Sequence, residues 1–212
     1  KICCIKSKAE AKMAMQYGAA ALGLVGPMPS GPGMISNGLI ANIVKIIPPP
    51  IASFLLTSET AVQQIVEHHQ KVQTNTIQIV DQLSEGSYAQ LRAALPNVKI
   101  VQVIHVIDEA SVEEAIRISG QVDCILLDSG NPNLKVKELG GTGRTHNWQL
   151  SRRIREAIDV PLFLAGGLRP ENVKKAIEMV QPFGLDLCSG VRSNGQLDEQ
   201  KLAAFFAAVN EK

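Results

Sequence analysis

The chain has 212 residues, 21 Lys and Arg against 20 Asp and Glu, a formal net charge of +1, and 45% hydrophobic residues. Scattered, balanced charge argues against a basic nucleic-acid face or an acidic tail, and no apolar run reaches the length of a membrane span. With aromatics at 4%, the apolar content is mostly Ile, Leu, Val and Ala, which suits parallel strands covered by helices. The four cysteines, Cys3, Cys4, Cys124 and Cys188, sit in or at the end of apolar runs, with no CxxC and no Cys/His zinc spacing. Reduced thiols in a cytoplasmic protein without a metal site are expected. The chain opens directly on a predicted strand, which leaves no room for a signal peptide.

The first predicted strand is Lys1–Ile5, followed by a helix over Lys8–Tyr17 that Gly18 terminates. Ala21–Val25 is the second strand, and the Gly- and Pro-rich stretch Gly26–Gly38 is a loop. A weakly helical stretch runs to Ile47 and stops at Pro48-Pro-Pro50. Ile51–Leu56 is the third strand, and Thr57/Ser58-Glu59 opens a helix to about Lys71. Strand Thr76–Val80, helix Ser84–Leu95, strand Val98–Val106 and helix Ser111–Ser119 follow. Strand Val122–Leu127 ends on Asp128; a long polar loop and Gly140-Gly-Thr-Gly143 lead to helix Trp148–Ile158. Strand Pro161–Ala165 ends on Gly166-Gly167, helix Pro170–Val180 carries Pro in its first turn, strand Leu185–Leu187 precedes Ser189-Gly190, and helix Asp198–Val209 closes the chain.

Strict strand–helix alternation over eight units, with no long linker, predicts a single-domain (β/α)8 TIM barrel spanning 1–212. An open doubly wound sheet is the runner-up, but Lys6-Ser-Lys8 stands where a Gly-x-Gly-x-x-Gly turn would follow the first strand. In a barrel the C-terminal strand ends converge on one face. Cys3/Cys4, Asp128, Gly166-Gly167 and Ser189-Gly190 all fall there. A carboxylate beside glycine turns has the parts to move a proton next to a phosphate held by backbone N–H groups.

Lys1-Ile-Cys3, Leu126-Leu-Asp128, Gly140-Gly-Thr-Gly143 with Trp148 beyond, Leu164–Val173 (LAGGLRPENV) and Gly184–Val191 (GLDLCSGV) resemble the phosphoribosylanthranilate isomerase family, in its order and spacing over nearly the whole chain. The resemblance implies an Amadori rearrangement of N-(5-phosphoribosyl)anthranilate in tryptophan biosynthesis, without a cofactor. Asp128 would be the general acid that opens the ring, and Cys3 the base that removes the C2 proton, with Cys4 left open as the alternative base. An acid working near neutrality needs a raised pKa, and a cysteine base a lowered one. The phosphate would meet Gly141, Thr142, Gly143, Gly166, Gly167, Ser189 and Gly190, and Asp186 would lie near the sugar. The implied partner is a small phosphorylated sugar-amine; no nucleic acid and no membrane are expected, and the chain would act as a monomer or homodimer.

The aglycone side departs from the family. The family usually carries Ser-Pro-Arg after the second strand, its Arg associated with the anthranilate carboxylate. Here the loop contains Ser30-Gly31-Pro32-Gly33, and no Arg stands between Gly23 and Gly38. Lys6, Arg144 and Arg192 are the candidate replacements. Gln78-Ile-Val-Asp81 replaces Gln-Leu-His-Gly, and Cys4 sits where Gly is usual. Two other readings therefore stand: a related isomerase for another phosphoribosylamine, and a non-catalytic phosphate-binding barrel, against which the retained Cys3 and Asp128 argue. The histidine-pathway isomerase uses Asp in both proton-transfer roles, where the first strand here offers Cys. Cys124 and Cys188 are expected in the core, His68-His69 on a solvated helix face, and His105 in a structural hydrogen bond. His146 is a candidate aglycone contact and Trp148 a packing anchor.

Overall fold

The computed structural model describes residues 1–135 and 137–210; Val136, within the predicted polar loop, and the last two residues lie outside the described residues. Seven strands form one parallel sheet in sequence order: β1 (Ala21–Val25), β2 (Ala52–Thr57), β3 (Thr76–Ile79), β4 (Lys99–His105), β5 (Cys124–Asp128), β6 (Leu162–Leu164) and β7 (Gly184–Leu185). The helices α1 (Lys8–Gln16), α2 (Asn37–Val44), α3 (Val62–Val72), α4 (Tyr88–Ala94), α5 (Glu109–Ser119), α6 (Trp148–Ala157), α7 (Pro170–Val180) and α8 (Glu199–Asn210) alternate with them. None of these helices is long and apolar enough to cross a membrane.

The sheet closes through the N-terminal segment. Ile2 bridges in parallel to both Leu22 and Leu187, Cys3 N–H donates to the Leu187 carbonyl at 2.7 Å, and Gly23 N–H donates to the Ile2 carbonyl at 2.8 Å. The fold is thus the (β/α)8 barrel. The predicted first strand is reduced to this bridge because Cys4 turns into the left-handed region at φ 61° and breaks the extended run. Ile2 and Ile5 are fully buried, as are Leu22, Leu24, Leu55, Ile77 and Ile125, in the layer between sheet and helices.

Several expected boundaries shift for local reasons. Thr57 and Ser58 do not cap a helix: Thr57 ends β2 with its hydroxyl bonded to His68 Nδ1, and α3 starts at Val62. Helix α4 begins only after Ser87, whose side chain accepts from Gln90 N–H, and α5 starts earlier, capped by Asp108. His68 and His69 are buried, not solvated: His68 also contacts Asn37, and His69 Nε2 donates to the Thr74 carbonyl at 2.7 Å. A hairpin absent from the sequence reading, β8 (Arg192–Ser193) and β9 (Gln196–Leu197), turns on Asn194-Gly195, both with positive φ.

Candidate active site

The strand ends surround a cavity lined by Cys3, Cys4, Gln78, Asp128, Gly141, Thr142, Gly143, Gly166, Gly167, Asp186 and Ser189, among others. Of the residues expected from sequence as catalytic or phosphate-binding, Gly190 alone is not among those lining the cavity; a Cβ there would lie 2.2 Å from the Leu168 carbonyl oxygen. Among the described residues no group of three or more His, Cys, Asp or Glu is placed to hold a metal ion.

Asp128 ends β5, partly buried, and its Oδ1 accepts from Ser129 N–H at 2.7 Å. Burial pushes its carboxyl above the ordinary carboxylate range, which the Ser129 N–H only partly opposes. Residues 138–143 fold back over it. Gly140, at φ +128°, passes so close that a Cβ would lie 2.5 Å from Asp128 Oδ2. Thr142 Oγ1 and Ser129 Oγ are 2.7 Å apart, and Gly143 faces the Ser189 hydroxyl. Gly166 and Gly167 both have positive φ and pack against Arg144 and Thr145, so the glycine turns after β5, β6 and β7 meet on one side of the mouth.

Cys3 is buried on the barrel interior, its sulfur against Gly23, where a Cβ would come within 2.8 Å. The bonded Cys4 thiol draws the Cys3 thiol below its ordinary value, against the effect of burial and with help from the Lys1 ammonium. Contact with Cys188 and Cys3, together with burial, holds Cys4 itself well above. The Cys4 S–H donates to the Pro32 carbonyl at 3.6 Å, with the Cys3 sulfur as its neighbouring acceptor. A thiolate is the stronger acceptor, so the proton turns to Cys3 once that sulfur ionises. Cys188 is not in the core as expected: it is partly exposed on the cavity wall, because the chain must turn there from Leu187 into the 3-10 turn Ser189–Val191. Cys124 is a core thiol, pushed by burial up to about 12.

Asp186 is 8% exposed; Lys1 Nζ donates to its Oδ2 at 2.7 Å, and Oδ1 has no protein partner. Burial opposes the Lys1 charge, but Asp186 more than offsets it and keeps the ammonium protonated. This pair spans 185 positions, and no local sequence signal pointed to it. Gln78, 3% exposed on the cavity wall with Oε1 unpartnered, also went unremarked as a site residue. A buried polar residue in an apolar strand was the available signal.

The candidate anion-binding cations are occupied. Arg192 is buried; it pairs with Glu10 at 3.1 Å and donates to the carbonyls of Cys3 and Cys4, so it braces the thiol segment and does not face the mouth. Arg144 pairs with Glu138, and Lys6 Nζ donates to the Gly195 carbonyl at 2.9 Å. His105 Nε2 donates to the Val80 carbonyl at 3.0 Å. His146 is bonded to Ser151, not turned to the cavity, and burial lowers it to about 4. Trp148 packs against the core.

Parallel strand order and a strand-end mouth holding thiol, carboxyl and glycine turns define a (β/α)8-barrel enzyme. The chain belongs to the N-(5'-phosphoribosyl)anthranilate isomerase family, whose model matches residues 1–208. A Methanosarcina acetivorans protein of that name is 35% identical, the alignment covering 99% of this chain and 92% of that protein. The Thermococcus kodakaraensis phosphoribosyl anthranilate isomerase structure superposes with a TM-score of 0.81 at 28% identity, covering 100% of this chain and 98% of that one. A structure of the family in complex with reduced 1-(o-carboxyphenylamino)-1-deoxyribulose 5-phosphate superposes at 0.78 with 26% identity, over 98% and 95% of the two chains.

Proposed function

We propose that this chain is a cytoplasmic aldose–ketose isomerase, folded as one domain over 1–212, that converts N-(5'-phosphoribosyl)anthranilate to the corresponding 1-(o-carboxyphenylamino)-1-deoxyribulose 5-phosphate in tryptophan biosynthesis. The observation that carries this reading is that the Cys3 thiol, the Asp128 carboxyl and the glycine turns after β5 and β6 line one mouth, with burial raising the carboxyl and the Cys4 and Lys1 neighbours lowering the thiol. Asp128 protonates the furanose oxygen, the C1–O bond breaks, and the amine nitrogen lone pair forms the iminium. Cys3, as thiolate, takes the C2 proton to give the enolamine, which tautomerises to the ketone; no oxidant or cofactor enters. A general base of this kind contributes on the order of 100- to 10,000-fold. The N–H groups around Gly141–Gly143, Gly166–Gly167 and Ser189 receive the phosphate, with Gly190 giving the turn behind them its close packing. Asp186 accepts from a sugar hydroxyl through Oδ1. The partner is a small phosphorylated sugar-amine, not nucleic acid or membrane, and the working unit is a monomer or homodimer.

Expression in a bacterial strain that lacks its own phosphoribosylanthranilate isomerase tests this. The wild type restores growth without tryptophan, whereas Asp128→Asn does not. Folded wild-type protein that leaves the strain auxotrophic would contradict the proposal.

A further inference from the structure

We infer that the arylamine end of this cavity is built for an uncharged ring, so the site takes 5-phosphoribosyl-arylamines without a carboxylate as well as it takes the anthranilate compound. This inference rests on the isomerase reading above and deepens it. With the phosphate against the turns after β5, β6 and β7, the aglycone falls toward the ends of β1, β2 and β3 and the loop after β1, whose Pro32 meets the β5 loop at Gly141. The wall there is Val25, Met28, Pro32, Leu56 and Val80, with Gln78 presenting a neutral amide and Leu139 reaching it from the loop after β5. Among the described residues that line the cavity there is no Lys, Arg or His.

The buried cations near the mouth are committed, Lys1 to Asp186 and Arg192 to Glu10, while Lys137 and Arg144 pair with Asp81 and Glu138 at the surface. Nor does the loop have room for a side chain at Gly33, within the stretch from Gly23 to Gly38 that lacks the family's Arg. Gly33 has φ +85°, and a Cβ there would lie 2.5 Å from Cys4 Cβ. Cys4 and Gly33 therefore belong together: the thiol fills the space that a side chain from the loop would cross. A carboxylate placed against this wall loses water and gains no countercharge. A charge-assisted bond to Arg is worth on the order of 10- to 100-fold in binding, and that preference is absent here.

Calorimetry of the wild-type protein with two stable ligands reads this directly: reduced 1-(o-carboxyphenylamino)-1-deoxyribulose 5-phosphate and its phenylamino counterpart without the carboxylate. The inference predicts that the neutral ligand binds as tightly as the carboxylate one to within about tenfold, or more tightly. A carboxylate ligand that binds more than about tenfold tighter overturns it, as does failure of both ligands to bind, which overturns the isomerase reading as well. Equal binding combined with no turnover of either aryl substrate would uphold the neutral aryl site and count against the isomerase alone.

Discussion

Cys4 holds a left-handed backbone at φ 61°, a conformation that costs an ordinary L-residue about 1 kcal/mol, and its thiol stands beside the sulfur assigned as base. That arrangement makes Cys4 a positioning residue: its S–H stabilises the Cys3 thiolate. Cys4→Ala removes the donor, so the Cys3 pKa rises and less thiolate is present at neutral pH. The pH profile of iodoacetamide labelling at Cys3, read by mass spectrometry, should move to higher pH in this variant. An unmoved profile would assign the lowered pKa to Lys1 alone. Asp128 carries the opposite shift. Its folded pKa lies above the unfolded value, so its contribution to stability is present below pH about 4 and is lost as pH rises through the folded pKa. Asp128→Asn should therefore be inactive yet melt at a higher temperature than wild type at pH 7, with the difference vanishing near pH 3. A lower melting temperature at pH 7 would mean that the carboxylate is stabilised in place.

At the scale of elements, the mouth depends on segments that have little regular structure. The N-terminal strand is only a bridge at Ile2, and its carbonyls at Cys3 and Cys4 are held by Arg192 from β8, which in turn pairs with Glu10 of α1. Glu10 also accepts from Lys6 N–H at 2.8 Å and Leu197 N–H at 2.9 Å, so one carboxylate ties three segments together. Burial opposes the Glu10 charge, but Arg192 and these donors hold its pKa below the ordinary value. The stability it contributes is present above the ordinary carboxylate pKa and is lost as pH falls through the lowered one. Arg192→Met leaves Glu10 without its countercharge and should cost about 3–5 kcal/mol in urea unfolding, with turnover lowered because the Cys3 segment loses its brace. Loss of activity without loss of stability would instead place Arg192 at the substrate.

The elements themselves were legible where pattern is local: apolar runs fixed β1 through β6, and Asp128 and the glycine turns could be placed at strand ends from spacing alone. The inward His68, the brace at Arg192 and the Lys1–Asp186 pair depend on segments far apart in sequence, and no window of the sequence contains them. The Asn194-Gly195 hairpin was readable from its dipeptide and was missed among the signals of the last crossover.

The whole molecule closes by joining its first residues to its last strand. Lys1 Nζ reaches into the barrel, bonds Asp186 and lies 5.2 Å from the Phe54 ring centroid, with its side chain fully buried. Closure and electrostatic support of Cys3 thus share one ion pair, at the carboxylate proposed to meet the sugar. Lys1→Met strands a buried carboxylate and should cost about 3–5 kcal/mol, most of it recovered in Lys1→Met/Asp186→Asn. If the double variant is no more stable than the single, the pair is not coupled. Fold recognition from strand–helix alternation succeeded because the barrel is specified by a repeated local unit. The character of the aglycone wall was visible only as a missing Arg, since it takes the structure to show that Cys4 and Gly33 exclude one another's side chains.

The most direct test of the account is the fluorescence decay of freshly generated N-(5'-phosphoribosyl)anthranilate with wild type and Cys3→Ala at equal concentration of folded protein. The account predicts rapid decay with wild type and a rate on the order of 100- to 10,000-fold lower with Cys3→Ala. Equal decay with both proteins would contradict it by removing Cys3 as the base, and no decay with wild type would remove the isomerase itself.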